Sequence, residues 1–367
     1  MPAAKPPIRP AVDVVIAVHN AARPVRRAVE SVFAAGLAPG RDGGVRVSVV
    51  CHNVPVEEIR ALFPSPLAEQ VRFLSCADGI PSPAGPFNTG LAAADAEYVS
   101  IMGSDDTLEP GALADWLEVA RCCTSDAVIA PQRHAGGAKV RTPPVRVGRR
   151  RHLDPVKDRL SYRTAPLGLV RTAEIRRQGL AFSAGRRSGE DQEFSSKLWF
   201  GGGRIDYARG AGRYVVGADA ADRITSARRP VAEDLGFATD LVAGEWFRHL
   251  PQRARTAIVT KILRVHVFGM VLARAGGDGW SAADRQALAE AAGALTAAAP
   301  GARRLLSVAD NRLLQSILDP GSPEAVLVRR AHERRRFGRP ATVFAAGLTA
   351  QFNPEAPLRF IAASALL

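Results

Sequence analysis

Residues 98–107, Tyr-Val-Ser-Ile-Met-Gly-Ser-Asp-Asp-Thr, decide the fold of this chain. The apolar run from Tyr98 to Met102 predicts a buried strand, and a polar turn with two adjacent carboxylates, Asp105 and Asp106, follows it at once. In an open α/β sheet, ligands bind outside the carboxyl ends of the strands. Carboxylates delivered there can hold a divalent cation or a sugar-nucleotide.

Strand and helix signals alternate on both sides of this turn. An order of β-α-β-α-β implies right-handed crossovers and a mostly parallel sheet with helices on both faces. After residue 228 the strand signals fade, and helical stretches rich in Ala, Leu and Arg continue. We therefore predict an α/β domain over residues 1–228 and a helical C-terminal domain or extension over 229–367. The predicted strands are residues 12–18, 45–51, 71–74, 98–102 and 126–130.

The charge of the chain is strongly basic. Its 367 residues contain 49 Lys or Arg and 36 Asp or Glu, a net charge of +13. Such a charge favours polyanions, anionic lipid head groups or phosphate-bearing polymers, and it does not choose among them. Nucleic acid is not the expected partner, because the chain has no recognisable nucleic-acid motif and no aromatic stacking pattern.

Cysteine usage and hydropathy suggest a cytoplasmic protein. The four cysteines form no CxxC pair, so reduced thiols are expected. The first residues contain no apolar segment of the signal-peptide type. The nearest candidate for a spanning helix, residues 257–273, is interrupted by Lys261, Arg264 and His266. We expect no spanning helix, and at most a peripheral contact with the inner face of the membrane.

Three segments in a fixed order carry a family resemblance. They are VVIAVHN at residues 14–20, FNTGLAAADAEYVSIMGSDD at 87–106, and SGEDQEF at 188–194. Together they resemble the family 2 glycosyltransferases, a family of inverting enzymes with the GT-A fold, and the resemblance covers about residues 12–225. It implies a Rossmann-like GT-A nucleotide-diphospho-sugar transferase domain, followed here by the α-helical C-terminal region.

The resemblance assigns the catalytic carboxylates to Glu190 and Asp191. Asp191 matches the general base of the family, which removes a proton from the acceptor hydroxyl as that oxygen attacks the anomeric carbon. A carboxylate at the start of a helix and beside an apolar stretch is suited to accept a proton. The alternative is an acidic first turn that complements the helix dipole.

The resemblance also implies a donor site with a divalent cation, Mn²⁺ or Mg²⁺, at the diphosphate. Asp105 matches the last acid of the family's DxD motif and is the candidate metal ligand, whereas the first acid of that motif is Gly103 here. A helix-capping turn is the alternative for both carboxylates. The candidate donor-binding residues are Val18, Asn20, His52, Asn53, Asn88, Ser104, Asp105 and Asp106.

Other departures from the family gather around the donor. Cys51-His52 replaces an acidic pair at the end of the second strand, and Phe87 replaces a basic residue. The family's metal-binding histidine has no counterpart in residues 214–223, where Asp219 or Asp222 could substitute. Residues 141–187 hold thirteen basic and three acidic residues and could neutralise the diphosphate; a solvated charged loop is the alternative.

A second basic cluster lies near the C-terminus, and it is a candidate membrane-surface or polymer-binding patch, or else a solvated helix face. It comprises Arg329, Arg330, Arg334, Arg335, Arg336 and Arg339.

These features lead to one functional hypothesis and one main rival. We expect an inverting glycosyltransferase that moves a sugar from a nucleotide-sugar, UDP-linked by preference, to an acceptor hydroxyl. The expected acceptor is a cell-envelope glycan, a lipid-linked saccharide or an anionic polymer. The rival is a non-catalytic GT-A-like binding or scaffold protein, which the Gly103 and Cys51-His52 departures favour. The sequence says little about oligomeric state, and an oligomer is compatible with it.

Overall fold

The computed structural model describes residues 9–40, 42–217, 229–275, 279–347 and 349–366. The first part of the chain is an α/β layer structure, and its order of elements follows the predicted alternation. The strands are β1 Val12–Val18, β2 Val45–His52, β3 Val71–Cys76, β4 Tyr98–Gly103, β5 Thr107–Leu108, β6 Ala127–Ile129, β7 Gln132–His134, β8 Gly168–Arg171, β9 Ile205–Tyr207 and β10 Tyr214–Val216. The helices of this part are α1 Val25–Phe33, α2 Val56–Arg60, α3 Ser65–Ala68, α4 Ala84–Ala93, α5 Ala112–Cys122, α6 Thr172–Gln178 and α7 Gln192–Phe200.

The central sheet has seven strands in the order β3-β2-β1-β4-β8-β6-β9. All neighbouring strands are parallel except β8, which runs antiparallel to β4 and β6. Strand β1 pairs with β2 on one side and with β4 on the other, so the strand order reverses there. This reversal opens a crevice at the carboxyl ends of β1 and β4. The mostly parallel sheet predicted from the sequence is confirmed.

Both faces of the sheet are buried. Alternate residues of a strand point to opposite faces, and in β1 Val14 and Ile16 join one apolar core while Val15 joins another. The first core includes Trp116 of α5, and the second includes Phe194 of α7. Burial on both faces explains why the strand sequences are continuous β-branched runs.

Two helix boundaries differ from the sequence prediction. The sequence over residues 56–63 predicts one short helix, but α2 ends at Arg60, and α3 is a separate helix that begins at Ser65, after Pro64, which has no N–H for a helical bond. The small-residue run that follows Asn88 predicts a helix start near that residue, whereas α4 begins at Ala84, four residues earlier. A second, three-stranded sheet, in the order β5-β10-β7, lies beside the acidic turn.

The C-terminal part is helical, as predicted, and packs around a third apolar core. The proposed domain boundary at residue 228 falls outside the described residues and stays a prediction. The helices are α8 Val231–Ala243, α9 Glu245–His249, α10 Gln252–Ile262, α11 Phe268–Ala273, α12 Ala282–Ala298, α13 Ala302–Leu305, α14 Val308–Leu318, α15 Glu324–Arg334, α16 Pro340–Val343 and α17 Pro357–Ala365.

One stretch in this part is long and apolar enough to cross a membrane by length and composition. It runs over Gln252–Ala273, has a mean hydropathy of 1.6, and has 56% of its apolar window buried inside the fold. Lys261 and Arg264 lie within it and bond to partners in the α/β part, Gln192 and Tyr162. This packing is that of a core helix.

Candidate functional site

A cavity of about 310 Å³ lies at the carboxyl ends of β1, β2 and β4. The sheet places it where the strand order reverses, the usual position of a ligand in an open α/β sheet. Of the candidate donor-binding residues, this cavity collects Val18, His52, Ser104, Asp105 and Asp106. Its full lining is Ala17, Val18, His19, Arg23, His52, Pro83, Pro86, Phe87, Gly103, Ser104, Asp105, Asp106 and Val216.

Asp105 is ion-paired inside this cavity. Its Oδ1 accepts a hydrogen bond of 2.8 Å from Nη2 of Arg23, and the two side chains are each only 12% exposed. Nε of Arg23 donates to Oγ of Ser104 at 3.1 Å. Nη2 of Arg27 donates to the backbone carbonyl of Asp105 at 2.8 Å. The loop between β1 and α1 therefore brings positive charge onto the acidic turn.

Asp106 holds the turn against the small sheet. Its Oδ2 accepts from the hydroxyl of Tyr214 at 2.5 Å, and its Oδ1 accepts from the backbone N–H of Gly217 at 2.7 Å. Burial raises the pKa of this carboxyl, and the two donors act in the opposite direction. Both oxygens thus have protein partners, which is the behaviour of a carboxylate that fixes a turn.

Gly103 explains why the first acid of the DxD motif is absent. A Cβ at this position would lie 2.7 Å from Oδ2 of Asp106 and 3.2 Å from Oδ1 of Asp105. Carbon atoms of side chains do not approach oxygens that closely without displacing them. The side chain of Asp106 therefore fills the space that a side chain at position 103 would need.

The described residues of the acidic turn fit a divalent cation poorly. Mg²⁺ and Mn²⁺ take oxygen ligands, and a protein site for them supplies carboxylates that face the ion. Here Oδ1 of Asp105 is bonded to Arg23, both oxygens of Asp106 are bonded to Tyr214 and Gly217, and position 103 is a glycine. Asp219 and Asp222, the suggested substitutes for the missing histidine, lie outside the described residues.

A second polar group stands at the end of β2. Nε2 of His52 lies 2.8 Å from Oδ1 of Asp78, and the amide of Asn53 contacts both side chains at 3.0 and 3.4 Å. The imidazole and these bonds lower the pKa of Asp78, against the effect of burial. The sequence does not predict a carboxylate beside His52, because Cys51-His52 replaces the acidic pair at the end of the second strand. Asp78 comes from the loop after β3.

Among the described residues, His52, Asp78 and Cys76 form the one set of three potential metal ligands outside the acidic turn. Their ligand atoms all lie within 4.8 Å of one another. The ring nitrogen of His52 that faces this set is already hydrogen-bonded to Asp78. The same geometry also suits a polar pocket that contacts the edge of a planar ligand.

Three of the predicted donor residues, Asn20, Asn53 and Asn88, do not line the cavity, and their side chains make bonds within the fold. Oδ1 of Asn20 accepts from the N–H of Ala22 at 3.0 Å, as in an Asx turn. The side chain of Asn88 pairs with the backbone of Phe182, donating to its carbonyl at 2.9 Å and accepting from its N–H at 2.8 Å. Asn88 thus ties α4 to the segment that leads to Glu190 and Asp191.

Glu190 and Asp191 lie immediately before α7, in a partly buried setting. Burial and the neighbouring Asp191 raise the pKa of Glu190 to about 7, and burial raises that of Asp191 as well. Nε2 of Gln192 donates to Oδ1 of Asp191 at 2.8 Å. Carboxyls with raised pKa values bind protons more tightly than free ones, as a general base requires.

A buried lysine from the C-terminal part sits beneath this pair. Nζ of Lys261 donates to Oε1 of Gln192 at 2.5 Å and lies 2.9 Å from Nε2 of His266. Burial lowers the pKa of Lys261 to about 7, against the attraction of Asp191. From the sequence, His266 is expected to be structural, and Lys261 is not predicted to be functional. Helical periodicity does not show which distant loop a side chain contacts.

The loop that carries the catalytic candidates is attached to the wall of the cavity, although neither Glu190 nor Asp191 lines it. The Ser82 hydroxyl donates to the backbone carbonyl of Arg186, and Phe87, which lines the cavity, packs on the Phe182 ring at 5.3 Å. These contacts connect the two halves of the predicted site. Of these residues, only Phe87 was singled out from the sequence, as a departure from the family.

The basic segment 141–187 does not reach this cavity. Every residue of the segment is described, and none lines it. Several of its arginines are instead paired locally, as Arg146 is with Asp158 at 2.6 Å and Arg177 with Glu174 at 2.5 Å. The expectation that this segment neutralises a diphosphate is wrong for this cavity. The arginine at the cavity is Arg23.

Comparisons with known proteins identify the fold. No protein-family model matches the chain, and no curated protein is similar in sequence. The structure is similar to that of S. aureus TarS 1-349 in complex with UDP-GlcNAc, with a TM-score of 0.70 and 17% identity over 89% of this chain and 92% of that one. The corresponding complex with UDP gives a TM-score of 0.67 at 17% identity over the same shares.

A longer chain of S. aureus TarS gives a TM-score of 0.70 at 15% identity, over 88% of this chain and 55% of that one. Identities this low show the fold alone. The class is therefore the GT-A fold with a helical C-terminal region, as predicted from the sequence, and the TarS structures are among those that share it.

Proposed function

We propose that this chain is an inverting glycosyltransferase with a nucleotide-sugar donor, UDP-linked by preference. The observation that carries the proposal is the cavity at the strand-order reversal, with the acidic turn on its wall and the Glu190-Asp191 loop tied to it. The shared fold with proteins solved in complex with UDP and UDP-GlcNAc supports a nucleotide-diphospho-sugar as the ligand class.

The reaction assigned to the site is a single displacement. The acceptor oxygen attacks the anomeric carbon, the bond from that carbon to the phosphate oxygen breaks, and its electron pair leaves with the diphosphate. Asp191 accepts the proton of the acceptor hydroxyl. Glu190 is the neighbouring residue. When Glu190 is ionised, its negative charge increases the affinity of Asp191 for the proton that Asp191 accepts.

The group at the end of β2 supports a uracil base. Uracil presents one N–H donor between two carbonyl acceptors, and Asp78 offers a carboxylate while Asn53 offers an amide donor. His52 lines the cavity and holds Asp78 in place at 2.8 Å. We assign base recognition to this group, of which His52 lines the cavity while Asp78 and Asn53 are bonded to His52 and lie outside the lining.

The acceptor we propose is a cell-envelope glycan, a lipid-linked saccharide or an anionic polymer, used by a cytoplasmic protein at the inner face of the membrane. The support is an exposed turn after α15, in which the Phe337 side chain is 73% exposed between Arg335, Arg336 and Arg339, all exposed. Basic residues beside an exposed aromatic ring suit an anionic lipid surface.

Replacing the general base tests the reaction. In Asp191→Asn we expect transfer to the acceptor to fall by about 10²- to 10⁴-fold, the usual contribution of a positioned base. Glu193→Gln is the matched control, since Glu193 lies in the same first turn, is 45% exposed and pairs with Lys197. Transfer by Asp191→Asn near the wild-type rate, or an equal loss in the control, contradicts the assignment.

The rival function is a scaffold that binds without turnover. Slow hydrolysis of the nucleotide-sugar, measured with and without Mn²⁺, separates the two. An enzyme releases free UDP, whereas a scaffold raises its melting temperature with the ligand and releases none.

A further inference from the structure

The protein itself places a positive charge in the cavity proposed for the nucleotide diphosphate. Arg23 lines the cavity, and its guanidinium is fixed by Oδ1 of Asp105 at 2.8 Å and Oγ of Ser104 at 3.1 Å. A guanidinium is planar, permanently charged and matched to phosphate oxygens. Two bonds to the acidic turn therefore hold an anion-binding group at the carboxyl end of β4.

The same turn offers little to a metal ion beside this arginine. Position 103 is a glycine and supplies no second carboxylate, and the two oxygens of Asp106 are bonded to Tyr214 and Gly217. Oδ1 of Asp105 is bonded to Arg23 at 2.8 Å. Any cation bound at Oδ2 of Asp105 would lie close to the guanidinium and be repelled by it.

We propose that Arg23 takes the place of the divalent cation, and that transfer by this chain is independent of metal ions. The inference rests on the proposed function. Arg23 stabilises the negative charge that grows on the leaving diphosphate, and Asp105 is a positioning residue that aims the guanidinium. The acid that the DxD motif would use for the metal is thus used to hold an arginine.

The balance of the step needs no further reactant. The bond between the anomeric carbon and the β-phosphate oxygen breaks, its electrons remain on that oxygen beside Arg23, and the proton of the acceptor hydroxyl passes to Asp191. Arg27 adds a second positive charge, since its Nη2 donates to the carbonyl of Asp105 at 2.8 Å. Charge stabilisation acts through the field of the guanidinium, so it does not require a vacant N–H on Arg23.

The test compares UDP binding and transfer in EDTA with those in Mn²⁺, in the full chain and three variants. We expect wild type to show equal UDP affinity and equal transfer rates in both buffers. Arg23→Gln lowers the transfer rate by about 10²- to 10³-fold, the usual effect of removing a charge-stabilising donor. Arg26→Gln is the matched control, because Arg26 lies nearby in α1, outside the cavity, and pairs with Glu30 at 2.7 Å.

Asp105→Asn distinguishes a metal ligand from a positioning residue. If Asp105 were a metal ligand, the variant would lose Mn²⁺ binding. We expect the variant instead to bind UDP in EDTA within about tenfold of wild type, because the asparagine oxygen still accepts from Arg23 and only the charge of the ion pair is lost. Binding of Mn²⁺ to the nucleotide-free protein, followed by electron paramagnetic resonance, gives a readout that needs no activity.

Two results overturn the inference. One is Mn²⁺-dependent UDP binding in wild type that disappears in Asp105→Asn, and the other is unchanged transfer in Arg23→Gln. Failure of the proposed function gives a different pattern, in which wild type binds no uridine nucleotide in EDTA or in Mn²⁺ and forms no product.

Discussion

At the scale of single residues, the most unusual environment is shared by Glu190, Asp191 and Lys261. Burial disfavours the charged forms of these two carboxyls and of the amine. Burial raises the pKa of Glu190 to about 7 and lowers that of Lys261 to about 7. Near neutral pH the group can thus redistribute protons at little free-energy cost, which suits proton transfer.

These shifts predict how the free energy of unfolding changes with pH. The folded state binds the proton of Glu190 more tightly than the unfolded state does, so this residue's contribution falls as the pH rises from about 4.5 to about 7. Lys261 acts in the opposite sense, because its proton is bound less tightly in the fold. Its contribution increases between about pH 7 and 10.5.

Two variants separate these windows in urea denaturation at several pH values. Glu190→Gln flattens the stability profile between about pH 4.5 and 7, and Lys261→Met flattens it between about pH 7 and 10.5. Glu193→Gln, which removes an exposed acid, leaves both slopes unchanged. If wild type and Glu190→Gln have the same slope between about pH 4.5 and 7, the pKa of Glu190 is not raised in the fold.

At the scale of elements, the loop before α7 depends on one glycine. Gly189 has φ +72°, and a Cβ there would lie 2.3 Å from the ring of Phe237 in α8. The loop can approach α8 this closely only without a side chain. Because Glu190 follows directly, the position of the catalytic pair is set by this contact with the C-terminal part.

Gly189→Ala therefore has a larger effect than a glycine substitution elsewhere in the loop. A left-handed backbone costs an alanine about 1–2 kcal/mol, and overpacking against Phe237 adds about 1–3 kcal/mol. Gly185→Ala is the matched control, since Gly185 has φ +76° and open space around it. Denaturation followed by circular dichroism measures both, and equal losses would contradict the contact with Phe237.

The elements that the sequence predicted are those with a strong local pattern. The β-branched run of β1 and the 98–107 turn determine the sheet, and the SGEDQEF segment gives the pair before α7. Asp78 and Arg23 were not predicted, because each lies on a loop whose path depends on distant packing, Arg23 at the cavity and Asp78 beside His52. Their local sequence carries no periodicity that separates them from other exposed polar residues.

At the scale of the whole molecule, the two parts of the chain are joined by buried polar bonds. Nη1 of Arg264 donates to the hydroxyl of Tyr162 at 3.1 Å and lies 3.3 Å from Oε2 of Glu355, which is fully buried. The guanidinium of Arg159 donates to the carbonyl of Pro354 at 2.7 Å. Any surface that the C-terminal part presents is therefore fixed relative to the cavity.

Only some members of the basic cluster predicted near the C-terminus are exposed. Nη1 of Arg330 donates to the carbonyl of Arg312 at 2.6 Å, and Arg334 pairs with Asp310 at 2.7 Å, so both are tied into the fold. The exposed members are Arg329, Arg335, Arg336 and Arg339.

Vesicle binding tests the proposed membrane contact. Each basic residue near an anionic surface contributes about 1 kcal/mol, so replacing Arg335, Arg336 and Arg339 by Gln lowers partitioning onto phosphatidylglycerol vesicles by about 10²-fold. The control replaces the exposed Arg149, Arg150 and Arg151, which removes the same charge. Phe337→Ser weakens binding at high salt as well. If both triple variants lower partitioning equally, the membrane contact is not localised at the turn after α15. A polyanionic partner is then favoured over a membrane surface.

Gly103 also constrains how such a site can change over generations. A chain that regained an acid at position 103 would first place its Cβ 2.7 Å from the carboxylate of Asp106. The Asp106 side chain accepts from the hydroxyl of Tyr214 and from the N–H of Gly217, so these contacts would have to adjust as it moves. A change from this arginine-held turn to one with two carboxylates thus depends on the side chain at position 106 as well as on the residue at 103.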